Sequence, residues 1–66
     1  MGKIVLDVKG MTCQHCVHAV TMAIQSVDGT EDIEVYLESG QAEFFIEDEA
    51  NIDQVKEAIH EAGYQV

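Results

Sequence analysis

A chain of 66 residues holds one domain at most, close to the lower size at which a hydrophobic core supports a fold unaided. Apolar residues make up 47%, ordinary for a globular domain, and two cysteines are too few for a disulfide framework. A formal net charge of -10 with only three Lys or Arg excludes nucleic acid as a partner and opposes docking on an anionic membrane; so short a chain also has little room for the deep pocket of an enzyme.

The chain opens with alternation. Ile4, Leu6 and Val8 face one way, Lys3, Val5 and Asp7 the other, so residues 3–8 read as a strand. Gly10 breaks it. Gln14 to Val27 reads as a helix: Val17, Val20, Ile24 and Val27 recur at helical spacing with Ala23 beside them, and Asp28-Gly29 supplies the stop. Thr30 to Glu38 alternates again, with Ile33, Val35 and Leu37 on one face and Glu34, Tyr36 and Glu38 on the other. Ser39-Gly40 signals a turn, and Gln41 to Glu47 forms the second arm of a hairpin with Ala42, Phe44 and Ile46 inward. Asn51 with Gln54 fits a capping box ahead of a second helix striped by Ile52, Val55, Ile59 and Ala62. Gly63 closes that helix, and Tyr64 to Val66 is left as a short final strand.

The order is β-α-β-β-α-β. This predicts an α+β, ferredoxin-like sandwich in which two helices cover one face of a four-stranded antiparallel sheet. The brevity of the last strand weakens one sheet edge. With no Pro, linker or repeat, residues 1–66 read as a single domain. No stretch is long enough to span a bilayer, and the first eight residues lack the apolar run of a signal peptide. The expected location is therefore the cytoplasm, where reducing conditions suit a free thiol pair.

Charge is unevenly spread. No carboxylate lies between Asp7 and Asp28, and this segment carries Lys9, His15, His18, Cys13 and Cys16. Nearby carboxylates would oppose ionised sulfur, so their absence favours thiolates. The two cysteines stand in Gly10-Met11-Thr12-Cys13-Gln14-His15-Cys16, between the first strand and the first helix. Free N–H groups and the positive helix end favour anionic sulfur there, and two soft thiolates select copper(I), zinc and other thiophilic ions.

C-x-x-C has three other readings. A structural zinc site wants four closed ligands, and only His15, His18 and distant His60 are left to complete one. A redox pair of thioredoxin type has the same spacing, but the chain has no Pro and hence no cis-Pro beside the motif. Cys16 as a buried core residue fits the helix start in part, whereas Cys13 is flanked by polar Thr12 and Gln14, as an exposed loop thiol would be.

The loop resembles the G-M-x-C-x-x-C motif of the heavy-metal-associated domain family, whose length and β-α-β-β-α-β order match nearly the whole chain. The His within the motif, Val17-His18-Ala19-Val20 and the closing Ala62-Gly63-Tyr64 look most like the bacterial cytosolic copper chaperones of that family. The resemblance implies that Cys13 and Cys16 bind copper(I) in a near-linear geometry. It implies that Met11 tucks beneath the loop, and that Met11, Thr12, His15 and Tyr64 shape the loop or touch the sulfurs without binding the metal. For Tyr64 a core-capping aromatic is the competing role. His15 is either a solvent-exposed side chain or one that tunes the thiolates; His18 replaces the Lys often found in bacterial relatives and, with His15, offers a pair for a divalent ion. His60 falls off the apolar stripe.

The function so implied is a copper(I) metallochaperone, not an enzyme. It would pass its ion by ligand exchange to a copper-transporting P-type ATPase or a copper-responsive regulator, monomeric when apo and open to a metal-bridged dimer. The alternatives are a binder of mercury or another thiophilic metal, a metal-binding domain excised from a metal-transporting ATPase, and a small disulfide reductase.

Overall fold

A computed structural model describes residues 2–66; Met1, part of the expected single domain, lies outside the described residues. The elements in order are β1 (Gly2–Asp7), α1 (Gln14–Gln25), β2 (Thr30–Tyr36), β3 (Gln41–Ile46) and α2 (Ile52–Glu61), with one 3₁₀ turn over Glu49–Asn51 leading into α2. The strands form an antiparallel sheet in the order β1-β3-β2. α1 packs across β2 and against α2.

The alternation read from the sequence is what the sheet uses. Ala42, Phe44 and Ile46 of β3 are fully buried, with Ile4, Leu6, Ile33 and Val35 from the flanking strands packed beside them. From the helices, Val20, Ile24, Val55 and Ile59 close the same core, none of them exposed. The opposite face of the sheet is open: Val5, Tyr36 and Phe45 are exposed there, and Lys3 pairs with Glu43 at 3.0 Å. β2 carries one bulge. Between the pairs Glu31↔Phe45 and Glu34↔Glu43 it has one residue more than β3, and Asp32 takes the left-handed conformation (φ 51°) that Asp tolerates better than most residues. The bulge lets both Thr30 and Ile33 turn inward. Thr30 then donates its hydroxyl to the carbonyls of Ile24 and Val27, which satisfies the C-terminal end of α1.

The described residues depart from the expected elements in several places, beginning with β1 and β3, which each end one residue early, at Asp7 and Ile46. No fourth strand forms; a single antiparallel bridge, Lys9↔Gln65, stands in its place. α1 ends two residues early, where the Ser26 hydroxyl bonds back to the Ala23 carbonyl at 2.6 Å and Val27 closes a tighter turn onto Ile24. Leu37 and Glu38 belong to the hairpin turn, which Gly40 N–H closes onto the Tyr36 carbonyl. Asn51 does not cap α2. Its backbone is already helical, and its side chain donates to the Asp28 carbonyl at 3.4 Å. Asp48 does the capping three residues earlier: its extended backbone suits an N-cap, and its carboxylate accepts the Ala50 N–H at 3.0 Å. On α2 the small residue against the core is Ala58; Ala62 is exposed at the C-cap.

No helix among the described residues is long and apolar enough to cross a membrane. Phe44 is the largest of the fully buried side chains, at the centre of the middle strand. In so small a core, Phe44→Ala is expected to cost about 3–5 kcal/mol of unfolding free energy, most of a small domain's stability. Urea unfolding followed by circular dichroism measures it; a cost below about 1 kcal/mol would show that this residue does not organise the core.

Candidate metal centre

The loop that carries the cysteines is clamped at its start. The Lys9 N–H donates to the Gln65 carbonyl at 2.7 Å, and the Lys9 carbonyl accepts the Gln65 N–H at 3.2 Å. Gly10 follows with φ +100°, a conformation that favours glycine, and the Tyr64 ring lies 3.5 Å from where a Cβ on Gly10 would stand. Met11 is half-buried and packs against the core. The chain then reaches Cys13, whose extended backbone makes it the N-cap of α1.

An N-cap is normally Ser, Thr, Asp or Asn, and the third helical residue is often Glu. Here the two positions hold Cys13 and Cys16. The Cys13 carbonyl accepts the N–H groups of Cys16 (3.0 Å) and Val17 (3.2 Å), but no side chain caps the helix, and its first turn has no acidic residue. Within that turn the groups that can carry negative charge toward the positive end of α1 are the two sulfurs.

Cys13 is exposed and Cys16 half-exposed, and their Sγ atoms lie 3.9 Å apart as free thiols. The Cys16 thiol is pulled from its ordinary 9.0 down to about 6. The largest cause is a hydrogen bond from the Thr12 backbone N–H, followed by bonds from the Tyr64 and Thr12 hydroxyls; these outweigh the opposing effect of burial. The Thr12 Oγ1 lies 3.7 Å from the sulfur. Tyr64 shows the reciprocal effect: its hydroxyl, donating to Cys16, is held above its ordinary range. At neutral pH Cys16 is thus mostly thiolate.

Tyr64 is brought there by the end of α2. The Gly63 N–H donates to His60 O at 3.0 Å and the Tyr64 N–H to Ile59 O at 3.2 Å, a Schellman pair made possible by Gly63 at φ +101°. The turn reverses the chain toward Lys9, and the Lys9–Gln65 bridge holds it there. Sequence reasoning placed Tyr64 near the site but missed this bridge and the Gly10 contact; the short Tyr64-Gln65-Val66 segment, read as a strand, was the signal.

The structure thus brings Thr12, Cys13, Cys16 and Tyr64 together, with Met11 beneath. It leaves His15, His18 and His60 exposed, and among the described residues no three His, Cys, Asp or Glu side chains converge as a metal cage. The site is a two-sulfur clip with open positions. Metal–thiolate bonds of about 2.3 Å would span 3.9 Å with an angle of roughly 116°, and an outward shift of a few tenths of an ångström in each sulfur straightens it.

An α+β sandwich with an exposed dithiol at the mouth of its first helix defines a class of small soft-metal binders. The heavy-metal-associated domain pattern matches residues 5–65, and this chain belongs to that family. It is 40% identical to the copper chaperone CopZ of Staphylococcus aureus (strain bovine RF122 / ET3-1), covering all of this chain and 98% of that one. Among solved structures it resembles a CopZ metallochaperone with a TM-score of 0.88 at 37% identity, covering 98% of both chains. It also resembles a copper binding domain from HMA7, a P-type ATPase (TM-score 0.85, 32% identity, 98% of this chain and 89% of that one).

The Cys16 shift has a consequence for stability. Its folded value lies below that of the free thiol, so the stabilisation is fully present above about pH 9 and is lost as pH falls through about 6. The urea midpoint of the reduced protein is expected to gain a rise between pH 6 and pH 9 that Cys16→Ser removes and Tyr64→Phe shrinks. Thiolate ultraviolet absorbance should show the Cys16 midpoint near 6 and move it upward in Tyr64→Phe. A midpoint near 9.0 in the unaltered protein would contradict the hydrogen-bonding described.

Proposed function

We propose that this chain is a single-domain copper(I) chaperone of the cytoplasm and has no catalytic activity of its own. Cys13 and Cys16 hold the ion, and a partner of similar site chemistry receives it by ligand exchange. The observation that carries this reading is the open pair of free sulfurs, 3.9 Å apart, at a helix end with no acidic side chain in its first turn. The copper chaperone relatives support the choice of copper. The likeness to a P-type ATPase domain supports a copper transporter as recipient, and equally supports a second reading in which the same site works as a domain of a transporter.

The exposure of the sulfur pair supports an order of steps for the exchange. Copper(I) is the cargo, and its two-thiolate site keeps room for an incoming sulfur. The partner's thiolate reaches the ion on the exposed Cys13 side. Of the two resident sulfurs, Cys16 is the easier to release, because Thr12 and Tyr64 stabilise it as a free anion. A second partner thiolate then displaces Cys13. Net transfer follows from the relative affinities of the two sites.

Titrating the reduced apo-protein with copper(I) against a strong competitor tests the reading. One ion per chain is expected, with Cys13→Ser and Cys16→Ser each weakening binding by about a hundredfold or more, or about 2.7 kcal/mol. Affinity should fall as pH drops below about 6, where Cys16 takes up a proton. Weak binding by the unaltered chain, or full binding by either serine variant, would overturn the proposal.

A further inference from the structure

The face of α1 turned away from the sulfurs carries two imidazoles. Successive helical residues advance by about 100°, so with Gln14 at zero His18 lies at about 40° and His15 at about 100°. Cys16 lies at about 200°, roughly 150° from the middle of that arc. Gln14, His15 and His18 together line one shallow surface cleft of about 240 Å³. Both histidines are exposed, and neither has a hydrogen-bond or ionic partner among the described residues. The thiol clip does not use them.

We propose that Gln14, His15 and His18 form a second cation site, separate from the cysteines, for a borderline divalent ion such as nickel(II), zinc(II) or copper(II). Helical residues three apart have Cβ atoms about 5–6 Å from each other, and imidazole nitrogens bind such ions at about 2.0–2.1 Å, so both rings reach one ion. Carboxylate and histidine at i and i+3 serve di-iron helices in the same way. Gln14 stands one turn before His18 on the same arc and lines the same cleft, so its amide oxygen is the third ligand of the proposal, with water completing the shell. Imidazole with an amide oxygen suits borderline ions. Calcium and magnesium prefer carboxylates, and no carboxylate lines the cleft shared by Gln14, His15 and His18; Glu38 stands with Gln14 in the adjoining cleft. A formal charge of -10 on the whole chain raises the local cation concentration without supplying a competing ligand in the segment between Asp7 and Asp28. The two faces of one helix then sort ions by softness: thiolates for the soft monovalent ion, imidazoles for the borderline divalent one.

The test uses the full chain with Cys13→Ser and Cys16→Ser, so that its outcome is independent of the copper(I) reading, and nickel(II) chloride as the only probe. Calorimetry should show one saturable ion. Nuclear magnetic resonance should show the His15 and His18 ring signals broadened at substoichiometric nickel while His60 stays sharp. Adding His18→Gln should weaken binding by about tenfold or more, and adding His60→Gln should leave it unchanged, with circular dichroism confirming that each variant is folded. Absence of saturable binding, equal broadening of His60, or unchanged affinity in His18→Gln would overturn the proposal.

Discussion

The arrangement depends on a helix that begins without an anion. The first turn of α1 has free N–H groups, no acidic residue and no side-chain cap, and the two positions that usually supply the cap hold Cys13 and Cys16. Negative charge is favoured at that end of a helix whatever atom carries it. Here ionised sulfur is the available carrier. The carboxylate-free segment from residue 8 to residue 27 preserves this condition on a molecule otherwise crowded with acids.

The rest of the fold keeps the helix start in place. Val20 and Ile24 of α1 and Val55 and Ile59 of α2 share one buried core with Phe44 and Ile46 of the sheet. The Schellman turn at Gly63 then sends the chain back across Gly10, and the Lys9–Gln65 bridge pins both segments of the crossing. Two backbone hydrogen bonds are enough to set Tyr64 against Cys16. The missing fourth strand therefore leaves the sulfur pair's surroundings intact: its one surviving bridge falls beside the cysteine loop, where the position of Tyr64 is decided.

Most of the fold was legible because the core residues repeat with the period of their element. Ala42, Phe44 and Ile46, or Val20 and Ile24, announce their inward face at spacings of two and four. What was illegible rests on competition between equally good local signals. Asp48 and Asn51 both suit an N-cap, and the earlier residue starts the helical path first. The Asp32 bulge is invisible to a period-two reading because Ile33, Val35 and Leu37 alternate correctly on its far side. The pairing of Lys9 with Gln65 joins distant parts of the chain and has no local pattern. At the site, the loop motif and its resemblance named Thr12 and Tyr64, but only the structure shows both aimed at Cys16.

In the proposed function, two sulfurs and nothing else from the protein hold a copper(I) ion. X-ray absorption at the copper edge, on the reduced chain loaded with one copper(I), addresses it most directly. A low-coordinate copper(I) with a shell of two sulfur neighbours and no nitrogen or oxygen neighbour is expected. A shell containing imidazole nitrogen, or a single sulfur, would contradict it.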